Sequence, residues 1–326
     1  MPTLRTIASP PELAQAPTKV LSIDGRTVAC RVEGPKAGLW AFDVGGVGRP
    51  LKLDESGHRY HSPAWSAWGD LLFHVDSPPG PSVGVVPAFG RGSPVEYSGT
   101  GIAVSADGRV LAVADPAAGA LKVAAATAGN SPFHEAPKAI GELEEAVPTA
   151  QVALDVTRDG AFVVVVRHAQ ERAPSLWSFP AAGGDPQELV PQVAAPSALA
   201  FSLGKTQLAV LEIRMGASST SRVYVRPMAP GSLGLMRLGP ARDLMFARAA
   251  LPSQRPAFSA DGKKLAVIGF ASTAGGADEM ALELLPTGGG KPVRVAQALD
   301  LRGSARFLES GEVVVDGFDR VSVVTL

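Results

Sequence analysis

Five histidines and a single cysteine hold most of the metal-binding and nucleophilic capacity of this 326-residue chain. His58 and His61 stand three residues apart in HRYHSPAWSAW, close enough for two imidazoles to share one metal ion. No further ligands accompany them at a recognisable spacing, so packing at the end of a strand is the stronger expectation and no metal is assigned. His74, His134 and His168 are scattered. Cys30 lies in an apolar run, which predicts a packed, inert thiol rather than a nucleophile. Phosphate-binding chemistry fails on spacing. Gly204-Lys205-Thr206 has the look of the end of a Walker loop, but Leu199 stands where a glycine is required. Gly288-Gly289-Gly290-Lys291 lacks the spacing as well, and neither G-x-G-x-x-G nor G-x-S-x-G occurs. No catalytic residue and no cofactor are therefore assigned, and the chain is expected not to be an enzyme.

Any such residues would be positioned by short strands. The chain has 36 glycines and 28 prolines, 46% hydrophobic residues, 19% charged residues and a net charge of −1. That balance excludes disorder, and no triplet glycine period points to collagen. It also provides no global field that would draw in nucleic acid. A strand, a tight glycine turn and a second apolar strand recur as VLSIDGRTVACRV, AWSAWGDLLFHV, AVSADGRVLAVA, LDVTRDGAFVVVV, AFSLGKTQLAVL, AFSADGKKLAVI and RFLESGEVVVDG. Their turn glycines are Gly25, Gly69, Gly108, Gly160, Gly204, Gly262 and Gly311, on average about 48 residues apart, which is the length of a propeller blade. Third strands such as GLWAFDV, SLWSFPA and RVSVVTL follow, and then more polar fourth strands such as RPLKLDE and KPVRVAQ. Seven units of four strands predict an all-β fold, a seven-bladed β-propeller in a single domain over residues 1–326.

The seventh unit ends after three strands, whereas TLRTIA (Thr3–Ala8) precedes the first hairpin without a partner. It is expected to pair outside Arg320–Leu326, completing the last blade and closing the ring. The N-terminus has no signal-like apolar core, and no run of about 18 apolar residues occurs. The expectation is a cytoplasmic protein with no membrane insertion, and the Ala, Gly, Pro and Arg usage points to a bacterial genome.

Pro256–Gly269, PAFSADGKKLAVIG, resembles the PD40 repeat of TolB-type, WD40-like propellers, as do the PAWS start at Pro63–Ser66 and LWSFPAAGGDPQEL at Leu176–Leu189. The resemblance recurs over nearly the whole chain and implies repeat architecture. The extra N-terminal α/β domain of TolB has no counterpart here, nor has the Gly-His…Trp-Asp signature of WD40 units.

Variable loops on a rigid scaffold are where binding concentrates, so the expected binding surface is the face carrying the longer connections. These are Gly141–Thr149, Arg167–Pro174, Glu212–Ser221, Pro240–Arg255 and Gly269–Met280. Two patches stand out. Tyr60 and His61 enter the second blade as candidate exposed anchors, while Trp65 alternates inward; strand-end packing is the competing reading. Pro240–Arg255, PARDLMFARAALPSQR, is expected to form one or two helical turns carrying Arg242, Met245, Phe246, Arg248 and Arg255, an interface composition. Alternatively Met245 and Phe246 merely cap a blade edge. An acidic loop with Glu142, Glu144 and Glu145 has the opposite sign. The expected role is a non-catalytic scaffold, a monomeric propeller binding protein partners within an intracellular hetero-complex. The alternatives are a channel-mouth, metal-dependent enzyme of lactonase or hydrolase type, against which the single asparagine, Asn130, weighs, and a small-molecule-sensing propeller.

Overall fold

Four of the seven hairpin turns are built by one local device. In Ser22–Gly25, Ser105–Gly108, Thr157–Gly160 and Ser259–Gly262 the sequence reads Ser/Thr-x-Asp-Gly. The leading hydroxyl donates to the aspartate Oδ1 at 2.5–2.7 Å and accepts the backbone N–H five residues on at 2.9–3.0 Å. The same Oδ1 accepts the N–H two residues beyond the aspartate at 3.0–3.1 Å. The glycine that follows sits at φ 69–74°, a left-handed conformation that side chains with a Cβ resist. Each turn thereby satisfies its own polar groups and sets the register of the two strands leaving it.

The computed structural model describes the backbone of all residues except 1, 17, 23, 35–36, 46–48, 54–58, 67–68, 78–79, 87–93, 126–132, 134, 144–151, 168–172, 192–196, 215–219, 231–234, 251–254, 273–277, 299–303 and 317–319. Side chains are described for the same residues less 59–62, 76–77, 80, 197–198, 230, 271–272, 278–279, 298 and 304. Strand β1 (Thr3–Thr6) comes first. Sheet 1 follows with β2 (Lys19–Leu21), β3 (Thr27–Val32), β4 (Gly38–Asp43) and β5 (Leu51–Lys52). Sheet 2 has β6 (Arg59–Trp65), β7 (Leu71–Ser77), β8 (Gly80–Val86) and β9 (Val95–Ser98); sheet 3 has β10 (Gly101–Val104), β11 (Val110–Asp115), β12 (Ala120–Ala125) and β13 (Lys138–Glu142). Sheet 4 has β14 (Leu154–Val156), β15 (Phe162–Arg167), β16 (Ser175–Pro180) and β17 (Gln187–Val190). Sheet 5 has β18 (Ser197–Leu203), β19 (Gln207–Arg214), β20 (Thr220–Pro230), β21 (Met236–Leu238) and β22 (Arg242–Leu244). Sheet 6 has β23 (Ala257–Phe258), β24 (Lys264–Ser272), β25 (Asp278–Pro286) and β26 (Val293–Ala298). Sheet 7 takes β27 (Ser304–Phe307), β28 (Val313–Asp316) and β29 (Val321–Thr325), and β1 is its fourth strand.

The strand pairings of described register are all antiparallel, and six sheets keep chain order. The seventh runs β1-β29-β28-β27, so the expected completion of the last blade by the N-terminal strand is found, with Thr3 opposite Thr325 and Thr6 opposite Ser322. The fold is a seven-bladed β-propeller.

The chain divides into two compact units, 10–192 with 230–236, and 1–9 with 193–229 and 237–326. Within the first, sheets pack in succession. Val20 and Leu39 meet Leu71 and Phe73; Val83 and Val85 meet Leu111 and Val113; Ala112 and Leu121 meet Val163, Val165 and Phe179. Within the second, Leu211 and Val223 meet Leu265 and Val267, while Ile268 and Leu282 meet Val313 and Val324. Strands buried on both faces read as near-continuous apolar runs, which accounts for the low charge content. Cys30 is fully buried in this packing and its thiol is pushed up to about 12 by burial, as expected of an inert cysteine.

Candidate interaction site

The segment 242–250 departs from the helical turns expected of it. Its first residues form β22, which lies along β20 with Arg242 opposite Val225 and Leu244 opposite Val223. Farther along, Ala249 exchanges both backbone hydrogen bonds with Phe270 of β24, at 3.1 and 2.8 Å. The Ala250 N–H donates to Ser221 Oγ at 2.8 Å. The segment is therefore an extended strap between sheets 5 and 6. Helix was disfavoured because these backbone groups find partners outside the segment, in two neighbouring sheets.

Gly269 lets the strap lie this close. A Cβ there would stand 2.6 Å from both Arg248 Cβ and Phe246 Cζ. Phe246 is half-buried and packs on the core between sheets 5 and 6. Arg248 points inward beside it, and its Nε donates to Glu283 Oε1 at 2.7 Å, both side chains being 9% exposed. The more exposed Arg294 approaches the same carboxylate oxygen at 3.9 Å.

The outer side of the strap differs. Met245 is 60% exposed between buried Leu244 and half-buried Phe246. Arg242 is exposed, and its Nη1 donates to Thr287 O at 3.3 Å. Beside it Arg222 grips Asp243 through Nε at 2.8 Å and Nη2 at 3.2 Å, stacks 4.8 Å from the centre of the Tyr224 ring, and lies 3.7 Å from buried Glu212. Hydrogen bonding to Asp243 raises the Arg222 guanidinium above its ordinary value, and burial, with Glu212 next, raises the Tyr224 phenol. Tyr224 therefore stays neutral.

Of the residues singled out from sequence, Arg242, Met245, Phe246 and Arg248 share this strap. Arg255 is exposed beyond its end, and residues 251–254 lie outside the described residues. Tyr60 and His61 lie in β6, opposite Val75 and His74 respectively, and their side chains are outside the described set. His58, His134, His168, Glu144 and Glu145 are also outside it. Trp65 does turn inward, packing on the core between sheets 1 and 2 and donating its indole N–H to Val20 O at 3.2 Å.

Sequence reasoning missed the partner of Arg248, because Glu283 is 35 residues away on another sheet. It also missed Arg167, which stacks 4.4 Å from the Trp177 ring centre and donates to Glu142 O. Among the described residues, no group of three or more His, Cys, Asp or Glu side chains could hold a metal ion, and no helix is long and apolar enough to cross a membrane.

No family model matches the sequence, and no curated protein does. Solved structures do. Hydrazine synthase of Kuenenia stuttgartiensis is similar at a TM-score of 0.58 and 14% identity, covering 96% of both chains. Virginiamycin B lyase of Staphylococcus aureus is similar at 0.53 and 13%, covering 100% of both. TolB of Acinetobacter baumannii gives a TM-score of 0.47 at 12% identity, and this chain, matched over 95% of its own length, spans 63% of TolB. At 14% and 13% identity the likeness to the first two shows one thing, the β-propeller fold that the seven sheets display.

Proposed function

We propose that this propeller is a non-catalytic scaffold that docks a protein partner on the strap, as a subunit of an intracellular complex. The observation that carries the reading is Met245. At 60% it is the most exposed of the large apolar side chains described, and the segment that carries it is held from beneath at several points. A preorganised segment pays little ordering cost on association. Arg242 and the Arg222–Asp243 pair lie alongside and would give the contact a polar rim. Arg248 supports the surface from within, and Phe246 does so in part; Arg255 remains a candidate for its extension, and Tyr60 and His61 for a separate contact.

The test spares the buried arginine. Full-length protein and a Met245→Asp, Arg242→Glu variant are used in parallel as baits in cells of the source organism, and the proteins recovered are compared. The expected result is the selective loss of one or more partners, with the circular dichroism spectrum and thermal midpoint of the variant unchanged. Recovery of the same partners by both baits would remove the strap as the docking site.

A further inference from the structure

Three turns and the start of the strap are knit together at one end of sheets 5 and 6. A Cβ on Gly204, in the β18–β19 turn, would stand 3.0 Å from the Phe258 ring, so that turn lies against β23. The β23–β24 turn meets the β25–β26 turn through Thr287, whose N–H donates to Lys263 O at 3.0 Å and whose hydroxyl donates to Gly262 O at 2.8 Å. The Thr287 carbonyl in turn accepts Arg242 Nη1 of the strap. Each of these segments brings exposed positive charge: Lys205, the neighbours Lys263 and Lys264, Lys291, and Arg242.

Little on the surface neutralises that charge. Among the described residues, none of Lys205, Lys263, Lys264 and Lys291 is held in an ion pair. Two nearby acids are committed elsewhere. Asp261 Oδ1 accepts the Ser259 hydroxyl and the Lys263 N–H within its own turn, and Asp243 is gripped by Arg222. The chain as a whole carries −1, so the positive field is local to this end. The two most exposed of the described large apolar side chains flank it, Met245 on the strap and Val293, 55% exposed, just after Lys291.

The backbone there selects the class of partner. Among the described residues β22 has one strand neighbour, β20, and so forms a sheet edge whose outer N–H and C=O groups match an extended peptide. The neighbouring edge, β26, is interrupted: Leu282 is opposite Ala296 and Glu283 opposite Arg294, which leaves Val295 as a bulge. A bilayer surface or a nucleic-acid duplex offers no such ladder of peptide groups.

We propose that this end of sheets 5 and 6 docks an acidic, extended segment of a protein partner, paired along β22 with its carboxylates over Arg242, Lys263, Lys264 and Lys291. The proposal rests on the reading of the strap as a docking site and adds the chemistry of what docks there. The lysines steer and select the segment, while Met245 and the β22 backbone hold it.

The experiment titrates the full chain into a fluorescein-labelled peptide of alternating Glu and Thr and reads anisotropy. Binding is expected, weakened about tenfold or more in Lys263→Glu, Lys264→Glu, Lys291→Glu and on raising the salt. It should be unchanged in Arg109→Glu, Lys138→Glu, which reverses two exposed cations of sheet 3. Equal binding by the wild type and the lysine variant overturns the proposal. So does binding indifferent to salt, or tighter wild-type binding to phosphatidylserine vesicles or to duplex DNA than to the peptide. Should the reversed variant fail to fold, Lys263→Gln, Lys264→Gln, Lys291→Gln replaces it; a smaller loss in the same direction supports the proposal and no loss overturns it. The strap reading fails separately. Partners lost by the Met245→Asp, Arg242→Glu bait but kept by the lysine variant overturn the acidic segment and leave the strap in place, whereas partners kept by both remove the two together.

Discussion

A buried hydroxyl such as that of Ser105 does more for these turns than the glycine that marks them. Ser105 is fully buried, and its Oγ accepts the N–H groups of Arg109 and Val110 at 3.2 and 3.0 Å while donating to Asp107. Ser105→Ala leaves these donors without that acceptor, and urea unfolding should show a loss of about 1–3 kcal/mol. The repeated glycines were legible because a positive φ has few alternative residues. The hydroxyl network was harder to read, since serine and threonine are common in any turn. The same device has an acid limit. At Asp261 the Ser259 hydrogen bond, with the Lys263 N–H, holds the carboxyl below its ordinary range. At Asp24 burial opposes, but the Ser22 hydrogen bond and the Arg26 N–H prevail in the same direction. A depressed folded value means that the stabilisation is complete above the ordinary carboxylate range and is lost as pH falls through the folded value. Carboxyl NMR titration of Ser259→Ala should therefore show Asp261 returning upward toward its ordinary value, and an unmoved titration would assign the shift elsewhere.

Among the elements, the strap 242–250 departs furthest from its sequence. Met245, Phe246, Ala249 and Ala250 can be laid on a helical stripe, and nothing nearby announces that this segment pairs with β20 and Phe270. Pairing at such separation is decided by neighbouring sheets, which no local pattern encodes. The two arginines attached to the strap make opposite energetic predictions. Arg248 and Glu283 are each 9% exposed, so Arg248→Ala strands a buried carboxylate and should cost about 3–5 kcal/mol in urea unfolding. The nearby Arg294, at 3.9 Å, offsets part of that. Arg222 and Asp243 are 50% and 63% exposed, so Asp243→Ala, which breaks that pair and leaves Arg222 beside Glu212, should cost under about 1 kcal/mol despite the two hydrogen bonds lost. Equal losses in the two variants would contradict the assignment of Arg248 as the inner fastening. Gly269→Ala tests the same element from beneath, since its Cβ would displace Phe246 and Arg248. Its expected signature is destabilisation, accompanied by impaired partner binding where the strap docks a partner as proposed.

For the whole molecule, the blade count was legible because one hairpin repeats seven times and each repeat needs its neighbours for a core. The outer strands were less so. β5 has two residues, and the outer edge of sheet 5 is divided between β21 and β22, so polar composition there signals an edge without fixing its length. The decisive exception is β1. All four of its residues are exposed, and its affinity for β29 comes from backbone pairing and from Ile7 just beyond it, 6% exposed, whose N–H donates to Val321 O at 2.9 Å. At the far end of the pairing Thr325 donates to Glu312, fastening β29 to the preceding hairpin, and that hydrogen bond, with Ser310 adding to it, lowers the Glu312 carboxyl. β29 itself is buried except at Thr325. Removing residues 1–9 would therefore expose the edge of an apolar strand and release several backbone hydrogen bonds at once. A loss of roughly 3–5 kcal/mol corresponds to a fall in thermal midpoint of about 5 °C or more for a chain of this length. Two compact units need not unfold as one, so the midpoint of the transition is the quantity to read, by differential scanning calorimetry. A synthetic peptide of residues 1–9 added in excess should restore part of the loss, because the vacated edge accepts a strand through backbone groups. An unchanged midpoint after the deletion would mean that β1 rests on β29 without holding it.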